Sequence, residues 1–411
     1  MNIKEKITIE NRDSANGKSS LKEITMLFLK LGSTAFGGPA AHIAMMESEV
    51  VRKRKWMDHQ HFLDLIGATN LIPGPNSSEM AMHCGHERGG YRGLLAAGAA
   101  FILPAVAITM LFAWLYSEYG TLPRAEQFIY GIKPAVVGII LYALYGLGKK
   151  AFKTNLLIAL GVITLGVTFI GVGEITALFA CGFAGVAIHI FKTKIIKGDK
   201  LFCCAPATFT LSLKSLMQPS TSALSAGATT LASAGAASLS LMNIFWIFLK
   251  VGALLYGSGY VLFAFLDSEL VSAGMLTREQ LMDAVAVGQF TPGPVLSAAT
   301  FIGWQLYGFP GAILATLGIF LPSFLLVSLL NPLIPKLRKS KIMSAFLDAV
   351  NVGSVAVIMA VIIGMGRDAV VDWRSFMILL ISIFVAFKFS KLNSAFIVLS
   401  GSLLGYLLLF V

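Results

Sequence analysis

The sequence predicts an all-α integral membrane protein built as an inverted repeat of two homologous halves. Three observations carry that expectation. Of 411 residues, 56% are hydrophobic and only 13% are charged, where an ordinary globular domain carries about 25% charge. The chain also says the same thing twice. Phe28-Leu29-Lys30-Leu31-Gly32 returns as Phe248-Leu249-Lys250-Val251-Gly252, and Gly37 as Gly257, at an offset of 220. Asp64 and Pro73-Gly74-Pro75 return as Asp283 and Pro292-Gly293-Pro294 at 219; Gly93, Pro104 and Phe128 return as Gly311, Pro322 and Phe346 at 218. Finally, matching loops of the two halves carry opposite charge balances.

The apolar content comes first. Stretches over 132–147, 156–191, 311–330 and 377–386 hold almost no charge. Singly or as hairpins they are long enough to cross about 30 Å of hydrocarbon. They are continuous and do not alternate, which excludes a membrane β-barrel. Six segments fall in half one, at 24–46, 62–82, 93–117, 128–148, 155–172 and 174–191. Six counterparts follow at 244–265, 281–302, 310–334, 345–365, 375–390 and 393–411. The division is therefore a polar tail over 1–23, one repeat over 24–191, a linker over 192–243 and a second repeat over 244–411. The linker opens basic and turns into a Ser/Ala/Gly/Thr run, the composition of a flexible tether. The tail lacks the apolar core and cleavage site of a removable signal peptide.

Loop charge sets orientation. Arg52-Lys53-Arg54-Lys55 in half one answers to Asp267, Glu269, Arg278 and Glu279 in half two. Glu118, Arg124 and Glu126 answer to Lys336, Arg338, Lys339 and Lys341. Lys149, Lys150 and Lys153 answer to a balanced Arg367, Asp368, Asp372 and Arg374. The halves therefore sit upside down relative to each other. Because 52–55 and Arg88/Arg92 both look cytoplasmic, the segment between them cannot span. It reads as a re-entrant hairpin turning at Pro-Gly-Pro. Each half then has about five transmembrane helices plus that re-entrant segment, with both termini outside and the linker inside. The net charge of +11 follows from these loops and does not argue for nucleic acid.

Two kinds of break could hold a ligand. At Gly37-Gly38-Pro39, matched around Gly257, two residues lack side chains and one lacks a backbone donor. A helix that stopped at Phe36 and restarted at Pro39 would aim the N–H groups of Ala40, Ala41 and His42 at an anion. The other reading is that these glycines allow close helix packing. Pro73-Gly74-Pro75, followed by Asn76, Ser77 and Ser78, and Pro292-Gly293-Pro294, followed by Ser297, cannot lie inside a regular helix. One helix N-terminus from each half meeting near the membrane midplane would suit an oxyanion; two proline kinks without a ligand are the plainer alternative. Lys30 and Lys250 either face substrate or snorkel to the surface. Glu79 reads as a proton site or as an ordinary satisfied polar residue. His42 and His83 flank the breaks and His59 and His61 look superficial. Cys84, Cys181, Cys203 and Cys204 imply neither a disulfide framework nor a metal site. No nucleotide loop, nucleophile elbow or metalloprotease helix is present, so an enzyme finds no constellation.

With these residues laid out, the chain resembles the chromate ion transporter (CHR) family over nearly its full length. The resemblance rests on Phe36-Gly37-Gly38-Pro39-Ala40-Ala41-His42, the basic run ending in Trp56, Pro73-Gly74-Pro75-Asn76-Ser77, and Thr291-Pro292-Gly293-Pro294. It implies a secondary transporter that carries chromate, a sulfate-like oxyanion, outward across the cell inner membrane. Sulfate or another oxyanion, and an anion channel, stand as alternatives. No cofactor is implied. The partners are the oxyanion and membrane lipid, with a homodimer left open. The long linker departs from the usual pattern.

Overall fold

The computed structural model describes residues 21–36, 38–120, 123–197, 240–257, 259–330, 340–389 and 392–408. Gly37, the tail over 1–20, most of the linker (198–239) and most of the basic loop over 331–339 lie outside the described residues. Within them the chain is helical, without strands. Half one folds as α1 (21–34), α2 (Gly38–Glu47), α3 (His59–Thr69), α4 (Asn76–Tyr119), α5 (Pro123–Ala151), α6 (Asn155–Phe169) and α7 (Glu174–Lys197). Half two repeats the series as α8 (Leu241–Leu254), α9 (Val261–Leu266), α10 (Arg278–Phe290), α11 (Ala298–Leu330), α12 (Lys341–Ala369), α13 (Trp373–Lys388) and α14 (Ser394–Leu408). Among the described residues, five helices are long and apolar enough to cross a membrane, by length and composition.

The duplication reaches into local chemistry. Helix α3 starts at Asp58, whose side chain accepts from the His61 N–H, and α10 starts at the equivalent Thr277, which accepts from Gln280. Thr154 caps α6 and its equivalent Asp372 caps α13. Each cap satisfies an otherwise orphaned helix N–H. Helix α4 is broken at Gly89 (φ −141°) and Gly90 (φ 58°), and α11 at Tyr307 (φ −152°) and Gly308 (φ 62°). The chain reverses there. A Cβ on Gly85 would lie 2.3 Å from the Gly93 carbonyl oxygen, and one on Gly303 equally 2.3 Å from that of Gly311. Eight residues of straight helix would separate such atoms by about 12 Å. Both α4 and α11 are therefore helical hairpins with a short first arm (76–88; 298–306) and a long second arm (91–119; 309–330).

The first segment of each half, expected to cross as one span, also doubles back. Glu23, at the start of α1, accepts from the Trp56 indole at 3.3 Å and from Arg88 at 3.4 Å, and lies 3.7 Å from Arg54. Along a straight helix Glu23 and Arg54 would be about 46 Å apart. Lys250 reaches Glu269 at 2.7 Å in the same way, across 19 residues that would otherwise span about 28 Å. The reason is the break after Thr34 and its twin after Leu254. Helix α1, at 14 residues, is about 21 Å long and falls short of about 30 Å of hydrocarbon.

Equivalent features of the halves gather at opposite ends of the bundle. One end holds Glu23, Arg54, Trp56 and Arg88, together with the Lys153–Asp348 pair at 2.7 Å. The other holds Arg278 between Asp267 at 3.0 Å and Asp368 at 3.1 Å, and Lys133 at 3.5 Å from Glu279. The halves interlock: α5 packs on α13 and α14 of the other half, and α12 packs on α6 and α7. Helix α7 runs antiparallel to α12, since Gly182 meets Phe346 and Val350 while Leu178 meets Gly353. The C-terminal end of α7 therefore lies at the Lys153 end, whereas Ser240 starts a hairpin based at the Arg278 end. This corrects the expectation that the linker begins and finishes on one side. The first and last described residues lie at opposite ends as well, because α14 is antiparallel to α5, with Gly401 against Ala135 and Gly405 against Gly131.

Candidate functional site

Proline decides the local structure first. Pro73 and Pro75 lack N–H donors and their rings exclude a helix between α3 and α4. Helix α3 stops at Thr69, and α4 restarts at Asn76 after an extended Pro75. Between the prolines, Gly74 takes φ 145°, and its twin Gly293 takes φ 94°, a region that disfavours a side chain. The glycine N–H groups are then free to bond elsewhere. Gly74 donates to the carbonyl of Leu255 at 2.7 Å, and Gly293 donates to the carbonyl of Ala35 at 2.8 Å. Ala35 and Leu255 are themselves equivalent, the first residues past α1 and α8. Each Pro-Gly-Pro turn is thus pinned to the broken hairpin of the opposite half. The C-terminal ends of α1 and α8 and the N-terminal ends of α4 and α11 meet at these two crossings.

The backbone is shared by the crossings, but the side chains differ. At the first, a Cβ on Gly74 would lie 2.3 Å from both Glu79 Oε1 and Ser323 Oγ. Glu79 and Ser323 are fully buried. Their equivalents at the second crossing are Ala298 and Ala105, and the Ala105 methyl would lie 3.0 Å from a Cβ on Gly293. Thr109 donates to Thr291 at 3.3 Å near the second crossing; their equivalents near the first are Val327 and Ile72. Ser78 and Ser297, equivalent at an offset of 219, are both fully buried, and neither hydroxyl has a hydrogen-bond partner. The sequence reading names Ser78 beside Asn76 and Ser77, and the repeat offset matches Ser78 with Ser297.

The remaining candidates fall around this layer. His42 Nε2 lies 3.1 Å from the Ala35 carbonyl oxygen, and its ring meets Phe101 edge-on. Pro73, Pro75, Pro292 and Pro294 are buried, as is Ser77. Asn76 bonds Asn70 at 3.1 Å. Gly38 opens α2 at φ 80°, with no atom within 4 Å of where a Cβ would stand, and Pro39 follows it; a Cβ on Gly257 (φ 93°) would lie 2.6 Å from Ser354 Oγ. Lys30 and Lys250 are held in ion pairs within their own hairpins, with Glu49 at 3.6 Å and Glu269 at 2.7 Å, and their side chains are 63% and 51% exposed. Glu49 is enclosed by cations. The hydrogen bond from Lys53, then Arg54 and Lys30, outweigh its burial and pull the carboxyl down to about 2.

A cavity of about 480 Å³ approaches the second crossing between α4 and α10, lined by Phe112, Tyr116, Asp283, Val287 and Phe290. It shares Tyr116 and Asp283 with a more polar cleft of about 440 Å³ that includes Lys133, Glu279 and Asp368. Tyr116 donates to Asp283 at 2.6 Å where the two adjoin. Phe290 immediately precedes Thr291, so this space leads from the Arg278 end toward the Pro-Gly-Pro turn.

The sequence pattern of the chromate transporter family matches residues 22–186 and again 242–406, once in each half. The chain belongs to the chromate transporter family. It is 31% identical to a probable chromate transport protein of Synechococcus elongatus, over 90% of this chain and 91% of that one. It is 30% identical to a chromate transport protein of Cupriavidus metallidurans, over 94% of this chain and 92% of that one. A chromate transport protein of Pseudomonas aeruginosa is 27% identical over 94% of this chain. No solved structure matches. Both family matches begin within α1 and α8 and take in the crossings, so the breaks belong to the part that these transporters share.

Proposed function

We propose that this member of the chromate transporter family is a secondary transporter, not an enzyme, and that it exports chromate or a sulfate-like oxyanion across the cell inner membrane by alternating access. The observation that carries the reading is the reciprocal crossing, Gly74 to Leu255 and Gly293 to Ala35. It brings two helix N-termini and two unpartnered serine hydroxyls, Ser78 and Ser297, into the interior of an apolar bundle. Unpaired N–H groups at helix starts favour an anion, and irregular backbone at membrane depth is tolerated where it lines a cavity. The substrate site on this reading comprises the Pro73–Ser78 and Pro292–Ser297 turns. Gly38, Pro39 and His42 border it on one side and Gly257 on the other.

The membrane placement follows from charge. The end with Arg52–Lys55, Arg88, Arg92 and Lys149–Lys153 is cytoplasmic by the positive-inside rule, and the Arg278 end faces out. Both the α1–α2 and the α3 to first-arm hairpins are then re-entrant from the cytoplasm, and their twins are re-entrant from outside. An inverted pair of this kind offers equivalent routes to one central site from either face. Chromate flux into proteoliposomes, with sulfate as competitor, tests the reading. Saturable flux supports a transporter; flux proportional to concentration over the whole range supports the channel alternative.

A further inference from the structure

The crossings share a backbone, yet only one carries an acid. Glu79 sits in the first turn of α4, four residues past Pro75, and is fully buried. Its room is made by Gly74: any Cβ there would overlap the carboxyl oxygen and the Ser323 hydroxyl. At the second crossing the same volume is closed by the methyl of Ala105, opposite Ala298. An acid needed only to hold the turn in shape would be needed at both crossings, because both make the same glycine hydrogen bond to the opposite hairpin.

The surroundings of Glu79 do not neutralise it. It forms no ion pair among the described residues, and neither carboxyl oxygen has a well-aligned hydrogen bond. Helix α11 contributes Ser323, which does not titrate. The α8–α9 connection brings Tyr256 within electrostatic range. His83 lies one turn further along its own arm, and α2 brings His42, whose Nε2 is taken by the Ala35 carbonyl. None of these is a permanent cation. A carboxylate ion without one is costly in a dry interior, whereas the neutral acid is tolerated. The Pro-Gly-Pro turn that encloses it is also the element expected to open to water when the anion enters.

We propose that Glu79 is a proton-binding site that couples proton movement to anion transport, and that the coupling resides at the first crossing alone. The proton bonds to a Glu79 carboxyl oxygen while the crossing is closed. It passes to water when the turn opens to one face, leaving the carboxylate solvated. This rests on the transport reading above, and deepens it by naming the coupled ion.

The test uses the full chain in proteoliposomes, with sulfate as the probe and the membrane potential clamped at zero. For the wild type, one unit of pH gradient should drive sulfate accumulation up to about tenfold if one proton moves per anion. Glu79→Gln should accumulate none, and Glu79→Asp should recover part of the effect. The second measurement needs no turnover: the infrared difference spectrum on adding sulfate to purified protein. The carbonyl stretch of a protonated carboxyl should change in the wild type and be missing in Glu79→Gln. Equal gradient-driven accumulation in wild type and Glu79→Gln, or the same carboxyl band in both, overturns the proposal. No sulfate or chromate flux in the wild type overturns the transport reading instead.

Discussion

Gly74 and Leu255 belong to different halves of the chain, 181 residues apart, yet the glycine N–H lies 2.7 Å from the leucine carbonyl. Gly293 and Ala35 repeat the bond at 2.8 Å. Buried backbone groups freed by a helix break need partners. Here the donors freed by one half's prolines meet the acceptors freed by the other half's hairpin. Neither break is therefore satisfied within its own half.

The two glycines should differ in tolerance. Alanine at Gly74 would collide with Glu79 and Ser323 at 2.3 Å, while alanine at Gly293 meets the Ala105 methyl at 3.0 Å and the Gly32 carbonyl oxygen at 3.2 Å. Both also force a side chain to positive φ, at a cost on the order of 1–3 kcal/mol. We expect Gly74→Ala to lose more transport and more thermal stability than Gly293→Ala, and leucine at either place to abolish flux. Melting temperatures and flux of the four variants check this; the reverse order for the alanine pair would count against the crossing geometry.

Topology gives a second expectation. Single cysteines beside Glu23, Arg54 and Arg88 should react with an impermeant reagent from one face, and cysteines beside Arg278 and Asp368 from the other. Position 197 should label with the first group and position 240 with the second. Opposite-face labelling of Glu23 and Arg54 would restore a first segment that spans.

The conserved offsets made much of this architecture legible. The twin caps Asp58 and Thr277, the twin glycines and the sign of every loop pair are properties of single residues, readable in order. The doubling back of α1 on α2 is not of that kind. Residues 24–46 have the length and apolarity of a span, and only the meeting of Glu23 with Arg54 and Trp56 reveals the reversal. A reading by segment length does not see that reversal, nor that α7 ends and α8 begins at opposite ends of the bundle. At the site, the turns were readable because proline and glycine dictate backbone shape locally. The isolation of Glu79 was not, because whether a carboxyl finds a partner depends on Ser323 and on Tyr256, far away in sequence.

The lysines should matter less than their place in an apolar segment suggests. Lys30 and Lys250 are more than half exposed and already paired with Glu49 and Glu269. Exposed pairs contribute about 1 kcal/mol or less, so replacement by Gln should change anion affinity by no more than about fivefold. Calorimetric binding of sulfate to Lys30→Gln and Lys250→Gln decides it. A loss of two orders of magnitude would return either lysine to the substrate site.

Acid should loosen the α1–α2 hairpin. Glu49 has its carboxyl drawn from an ordinary 4.5 to about 2 by Lys53, Arg54 and Lys30. A depressed folded-state value means that its contribution is complete above about 4.5 and is lost as the pH falls from there through about 2. Over that window the wild type should lose more thermal stability than Glu49→Gln, which has nothing left to protonate. Equal losses would show that the cluster does not hold the hairpin.

The most direct measurement is initial chromate flux into proteoliposomes as a function of chromate concentration, for the wild type and for Ser78→Ala combined with Ser297→Ala. A site built at the two crossings predicts saturable flux in the wild type, competitive inhibition by sulfate, and a higher half-saturation concentration in the double variant. Flux no faster than through empty liposomes, or a half-saturation concentration unchanged by removing both hydroxyls, would contradict it.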